Sequence, residues 1–268
     1  MTQINAAEPP LGSTIDNHSQ EALGTGAACA KSLASRDLHI SSPPPPLAAS
    51  ARSSSSQQDR PWPRVCAAVF GAAWLALAWR PLYPQDWALE NVLSLFTAWW
   101  LLRLHRHSPL SDVAYILLLL FGLAHELGAH FTYAEVPYDA WSRRLLHFSP
   151  DAFFGFSRNE YDRLVHFSFG LLCFRPMREA LTASLPQSRS VALALTAAVM
   201  VAISALYELL EWAAALLFGG DLGVAYLGTQ GDLWDAQKDM ALALLGTLIA
   251  LACSLVAARY DRASRLST

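Results

Sequence analysis

The feature that most constrains this chain is a series of six apolar stretches, at about 64–80, 88–102, 113–131, 163–176, 190–218 and 239–258. A helix needs about 20 predominantly apolar residues to cross the hydrocarbon core of a bilayer. The third, fifth and sixth stretches approach or exceed that length. The first, second and fourth reach it only if their polar ends enter the interface. The long stretches are rich in Ala and Leu and show no period-two alternation, which predicts helices and not strands. Trp62, Trp79, Tyr83, Trp87, Trp99 and Trp100 fall near the ends of the first two stretches, where an aromatic belt belongs. Only 15% of residues are charged and 53% are hydrophobic, against about 25% charged in an ordinary soluble domain. The expected fold is all-α: a polytopic transmembrane helix bundle of about six spans, with a disordered N-terminal tail.

The excess of apolar residues is unevenly spread. Residues 1–62 contain SSPPPP (41–46) and SSSSQQ (53–58) and few aliphatic residues, too little apolar surface to offset the entropy of ordering. The expected organisation is this tail, a six-span membrane domain over 63–260, and a short polar C-terminal tail over 261–268. Inside the domain, the 132–162 connection is too long for a tight turn. Trp141, Leu145, Leu146 and Phe148 beside Arg143 and Arg144 predict a short amphipathic helix lying in the interface. Ten basic residues flank the spans on the N-terminal side of the membrane and six on the other. That bias predicts both termini in the cytoplasm. A net charge of -3 gives no field that would draw the chain to nucleic acid. The predicted partner is the lipid bilayer.

The informative residues are ionisable groups inside or beside the spans, since a charge at a helix centre costs about 2.5–3.5 kcal/mol on insertion scales. The third span ends in AHELGAH, with His125, Glu126 and His130 in its last two turns. Glu126 and His130 share a face. The HExxH zinc motif is not met, because the second His stands five residues after the first. The fourth span opens with YDRLVHFSFG, where Asp162 and His166 stack one turn over another. In the fifth, SALYELLEW puts Glu208 and Glu211 on one face of an apolar helix. Two carboxylates so close must share a proton, pair with cations or bind a metal. The last connection, LGTQGDLWDAQKDM, sets Asp232, Asp235 and Asp239 along one stripe. Each group also has a plain structural role open to it, as a helix cap, a partner for the helix dipole or a member of an ion pair. Topology places all four groups at one membrane depth whichever way the protein faces. Asp86 and Glu90, by contrast, are expected in an exposed connection.

HELGAHFTYAEVPYD, FSRNEYDRLVHFSFG, YELLEW and LGTQGDLWDAQKDM together resemble the YjdF-type family of bacterial inner-membrane proteins over about residues 64–258. The N-terminal tail lies outside the resemblance. One departure is Glu160, where the family favours His. The resemblance implies a multi-span protein of the bacterial inner (plasma) membrane and supplies no reaction.

Three functions compete. The first is a membrane-embedded, metal-dependent hydrolase acting on a lipid-like substrate. His125, His130, His166, Glu208, Glu211, Asp235 and Asp239 are its candidate ligands for Zn, Mn or Fe. Glu126, Asp162 and Asp232 are its candidate general acid–base groups. The second is a transporter or a proton or cation pathway; the apolar inner halves of the spans speak against it. The third is a structural membrane protein whose polar network ties its helices together.

Overall fold

The computed structural model describes residues 60–185, 187–220 and 229–266. All but the last three residues of the expected N-terminal tail lie outside the described residues. Among those described there are eight helices and no strands. They are α1 (Pro61–Leu77), α2 (Pro84–His107), α3 (Asp112–His130), α4 (Tyr138–Leu146), α5 (Pro150–Phe154), α6 (Tyr161–Ser184), α7 (Arg189–Phe218) and α8 (Asp235–Leu266).

Local chemistry explains several boundaries. Proline opens α1 and α2, at a position whose N–H has no helical partner to lose. Ser111 and Ser188 cap α3 and α7, their hydroxyls accepting from the Ala114 and Val191 N–H groups. Thr132 and Tyr133 both take a left-handed φ of 54° and turn the chain sharply after α3.

α3, α7 and the Asp235–Tyr260 part of α8 are long and apolar enough to cross a membrane. α1 is apolar but only 17 residues long, about 26 Å at 1.5 Å per residue. α2 and α6 have 24 residues each, about 36 Å, and carry their charges towards both ends. This is consistent with six spans. Only 22–33% of the apolar windows in α3, α7 and α8 is buried within the protein. The rest faces outward, as lipid-facing helices require.

Two boundaries differ from expectation. α2 starts at Pro84, so Asp86 and Glu90 lie inside it, 2% and 5% exposed, and not in an exposed connection. α8 continues as helix through the first six residues of the expected polar tail. The 132–162 connection holds two short helices, α4 and α5, where one was expected.

The central contact is between α6 and α8, and glycine makes it possible. A Cβ on Gly170 would lie 2.0 Å from the Ala243 carbonyl oxygen. One on Gly246 would lie 2.2 Å from the Phe167 carbonyl oxygen. The two backbones therefore touch directly, as small residues permit between membrane helices. On one side of this crossing lie Cys173 and Phe174 of α6, which pack with Leu193 and Met200 of α7. Towards the same end of α6, the Glu179 carboxylate accepts from the Ser111 N–H and hydroxyl at 2.7 Å each and from Arg175 Nε at 3.0 Å. On the other side of the crossing, one turn away in each helix, stand His166 and Asp239.

Candidate functional site

The α6 face runs Asp162, His166, Gly170 and the α8 face Asp235, Asp239, Ala243, both at four-residue spacing. Backbone contact at Gly170 therefore sets the polar residues of the two helices opposite one another. Asp162, His166 and Asp239 each offer a donor atom, and the three donors all lie within 4.8 Å of one another. Glu208 of α7 joins them, with Oε1 3.4 Å from His166 Nε2; Asp162 Oδ1 is 3.5 Å from the same nitrogen. His166, Asp239 and Glu208 are 7%, 2% and 9% exposed. Asp239 Oδ1 and Glu208 Oε1 are buried without a hydrogen-bond partner among the described residues, which is costly unless a further group meets them.

Donors sharing one ion at about 2.0–2.2 Å are at most about 4.4 Å apart, so a spread of 4.8 Å needs only side-chain adjustment. One imidazole with carboxylates is also a donor set suited to Zn, Mn or Fe. The three residues therefore fit a divalent cation.

An ion-pair network borders the site. Arg158 Nη2 lies 2.6 Å from Asp235 Oδ1, and Arg163 Nη2 lies 3.3 Å from the same oxygen. Arg163 also reaches Glu160 and Asp232 at 2.5 Å each, and Lys238 reaches Asp232 at 2.5 Å. Burial alone would lower the Arg158 guanidinium; the hydrogen bond to Asp235 and that group's charge outweigh it and raise it. The hydrogen bond from Lys238 holds the Asp232 carboxyl down at about 2, helped by the Trp234 N–H and Arg163. Asp232 and Asp235 are thus engaged by cations of the protein itself.

The α3 residues have other partners. His125 Nδ1 meets the Tyr133 hydroxyl at 2.5 Å, and burial raises that phenol well above its ordinary value. Gly128 makes room for the Tyr133 ring, since a Cβ there would lie 2.4 Å from it. Glu126, fully buried, accepts from Ser94 of α2 at 2.5 Å. His130 Nδ1 bonds the Leu77 carbonyl at 2.7 Å, one of the carbonyls that the end of α1 leaves without a helical partner.

Of the ten residues proposed from sequence, the fold brings Asp162, His166, Glu208 and Asp239 into one cluster. Glu211, 8% exposed, lines the adjoining cleft with Glu208 and Asp235. His125, Glu126, His130 and Asp232 are tied elsewhere. Sequence reasoning missed Glu90, whose Oε2 accepts from the Tyr207 hydroxyl at 3.0 Å. Its signal was available: Asp86, Glu90 and Ser94 recur every four residues, the spacing of one helix face.

The cleft has a volume of about 400 Å³ and lies between α7 and the start of α8. Its apolar lining includes Leu209, Trp212 and Met240. Leu209 and Trp212 are 57% and 58% exposed, and Glu208 and Glu211 line the same cleft.

These features define an all-helical membrane protein with a polar cluster at the N-terminal ends of α6 and α8, beside Glu208 in the second half of α7. Residues 62–260 match the family model described as "Predicted membrane protein (DUF2238)", and the chain belongs to that family. It is 39% identical over 163 residues to "Inner membrane protein YjdF" of Escherichia coli (strain K12), covering 60% of this chain and 74% of that protein. The YjdF-type resemblance read from the motifs is thereby confirmed. No solved structure matches the chain.

Proposed function

We propose that this protein is a metal-dependent hydrolase embedded in the bacterial inner membrane, acting on a lipid-like substrate. Both termini face the cytoplasm in this reading. Asp162, His166 and Asp239 hold a divalent cation, and the observation that carries the reading is the gathering of their three donors within 4.8 Å. Such an ion acts as a Lewis acid and makes water a nucleophile near neutral pH. Glu208 Oε1, buried and without a hydrogen-bond partner among the described residues, accepts the proton of a water that enters from the cleft. Asp162 is then a ligand and not a base, a change from its expected role. Asp235 positions Arg158 and Arg163.

A lipid-like substrate is supported by the apolar lining of the cleft. Its mouth is apolar, on membrane helices, with exposed Leu209 and Trp212 at the rim. A lipid-like molecule suits such a lining and would meet Glu208 in the cleft wall. The transport reading finds less support: beyond the site, the fully buried Phe174 of α6 and Met200 of α7 pack together, and the buried polar side chains nearby, Thr196 and Thr247, are uncharged hydroxyls.

Metal analysis of the purified full chain tests the proposal. Supplied with Zn, Mn or Fe, the wild-type protein should retain about one ion per chain. His166→Ala and Asp239→Asn should retain none, and Glu208→Ala combined with Glu211→Ala should weaken retention. A folded wild-type protein that takes up no metal under any of these supplies would sink the reading.

A further inference from the structure

Glu90 has no place in the site as described, yet it is a carboxyl only 5% exposed inside α2, and a buried polar group is costly unless it is partnered. What it does is indicated by its partner. The Tyr207 hydroxyl donates to Glu90 Oε2 at 3.0 Å, joining α7 to α2. The other end of that side chain meets the site, for the Tyr207 ring stands edge-on to the His166 imidazole, with centroids 5.7 Å apart and planes at 68°. Tyr207 also meets the Glu211 carboxyl. A phenol fixed at its hydroxyl cannot swing about χ1, so its ring is a rigid wall on one side of His166. Asp162 Oδ1 and Glu208 Oε1 lie 3.5 and 3.4 Å from Nε2 of the same imidazole.

We infer that Glu90 is a positioning residue for the metal centre: by holding the Tyr207 hydroxyl it fixes the ring that sets the orientation of His166. The inference rests on the metal-binding reading above and extends the site to α2, which supplies no ligand. Groups that orient a metal-ligating His alter affinity by about 10–100-fold when removed. The Glu90–Tyr207 pair acts through a ring contact and belongs at the low end, about 10-fold.

The test uses Co²⁺ alone as probe, on the full chain in detergent, reading its dissociation constant and visible spectrum. Glu90→Leu and Tyr207→Phe should each weaken Co²⁺ binding by about 10-fold and change the spectrum of the bound ion. Glu90→Gln keeps an acceptor for the hydroxyl and should match wild type in both. Combining Glu90→Leu with Tyr207→Phe should cost no more than Tyr207→Phe alone, because the bond that Glu90→Leu removes is already lost with the hydroxyl. A merely structural role for Glu90 would lower stability without altering the spectrum or producing this non-additivity. If Glu90→Leu fails to fold, Tyr207→Phe and Glu90→Gln still decide the matter. Wild-type affinity and spectrum in Tyr207→Phe or Glu90→Leu overturn this inference and leave the metal site standing. A wild-type protein that binds no Co²⁺ removes the metal reading and this inference together.

Discussion

Replacing Gly170 with Ala tests whether backbone contact between α6 and α8 builds the polar site. The added Cβ would lie 2.0 Å from the Ala243 carbonyl oxygen and 2.7 Å from the Thr247 nitrogen. Both are main-chain atoms of a helix, so no side-chain rotation relieves the clash. Ordinary contact begins near 3.4 Å, so the helices must part by about 1.4 Å. His166 and Asp239 are one turn from this point and belong to the two separated helices. Their donors, now within 4.8 Å, would move to about 6 Å, beyond the roughly 4.4 Å that one ion spans. Overpacking of this kind costs about 1–3 kcal/mol. The gain of about 1 kcal/mol from replacing a helical Gly by Ala opposes it. The expected result is a net loss of stability together with loss of bound metal. Gly71→Ala in α1 is the control, since a Cβ there meets nothing within 4 Å; it should be neutral or slightly stabilising and keep its metal. Thermal unfolding and metal content of both variants decide. Gly170→Ala with wild-type stability and metal content would refute the reasoning.

Other outcomes follow from contacts outside the cluster. His130→Ala removes the bond to the Leu77 carbonyl and should cost about 0.5–1.5 kcal/mol with metal content unchanged, whereas His166→Ala should lose the metal; equal losses would restore His130 as a ligand. Tyr133→Phe takes the hydroxyl from His125 and should cost about 1–3 kcal/mol, because a buried polar group is left unmet, again without loss of metal. Asp232 supplies a pH test. Its folded value of about 2 is below the ordinary value of about 3.9. Its contribution is therefore complete above that ordinary value and is lost as pH falls through the folded one. Thermal midpoints should decline more steeply between about pH 4 and pH 2 in wild type than in Asp232→Asn; parallel curves would show that the ion pairs with Arg163 and Lys238 contribute nothing.

How much of this was legible in the sequence depends on which physical rule carried the information. The length and composition of an apolar stretch act within one helix, and they gave the class and all six long helices; the family came from the resemblance of the polar motifs. Membrane depth follows from chain direction, so the ends bearing His125, Asp162, Glu208 and Asp235 could be placed at one level without coordinates. Which face meets which neighbour depends on helix packing, and here that packing is decided by Gly170 and Gly246. Their role was invisible because a lone glycine in an apolar run has no distinct pattern. The same limit explains His130. Its spacing from Glu126 suggested a ligand, but α3 ends beside the end of α1, where an unpaired carbonyl at Leu77 takes the imidazole. Glu90 failed for another reason. Starting α2 at its first apolar run put the acid in a loop, although Pro84 at a helix start and the stripe of Asp86, Glu90 and Ser94 already pointed to a buried polar face. An acid or imidazole near a span end is therefore ambiguous until its neighbours are known, because unpaired backbone groups at adjacent helix ends compete for it. His166 and Asp239 stand apart from that competition. Each lies a full turn inside its helix, beside the backbone contact at Gly170, and Asp239 Oδ1 has no hydrogen-bond partner among the described residues, which is the reason a metal is proposed there and not at His130.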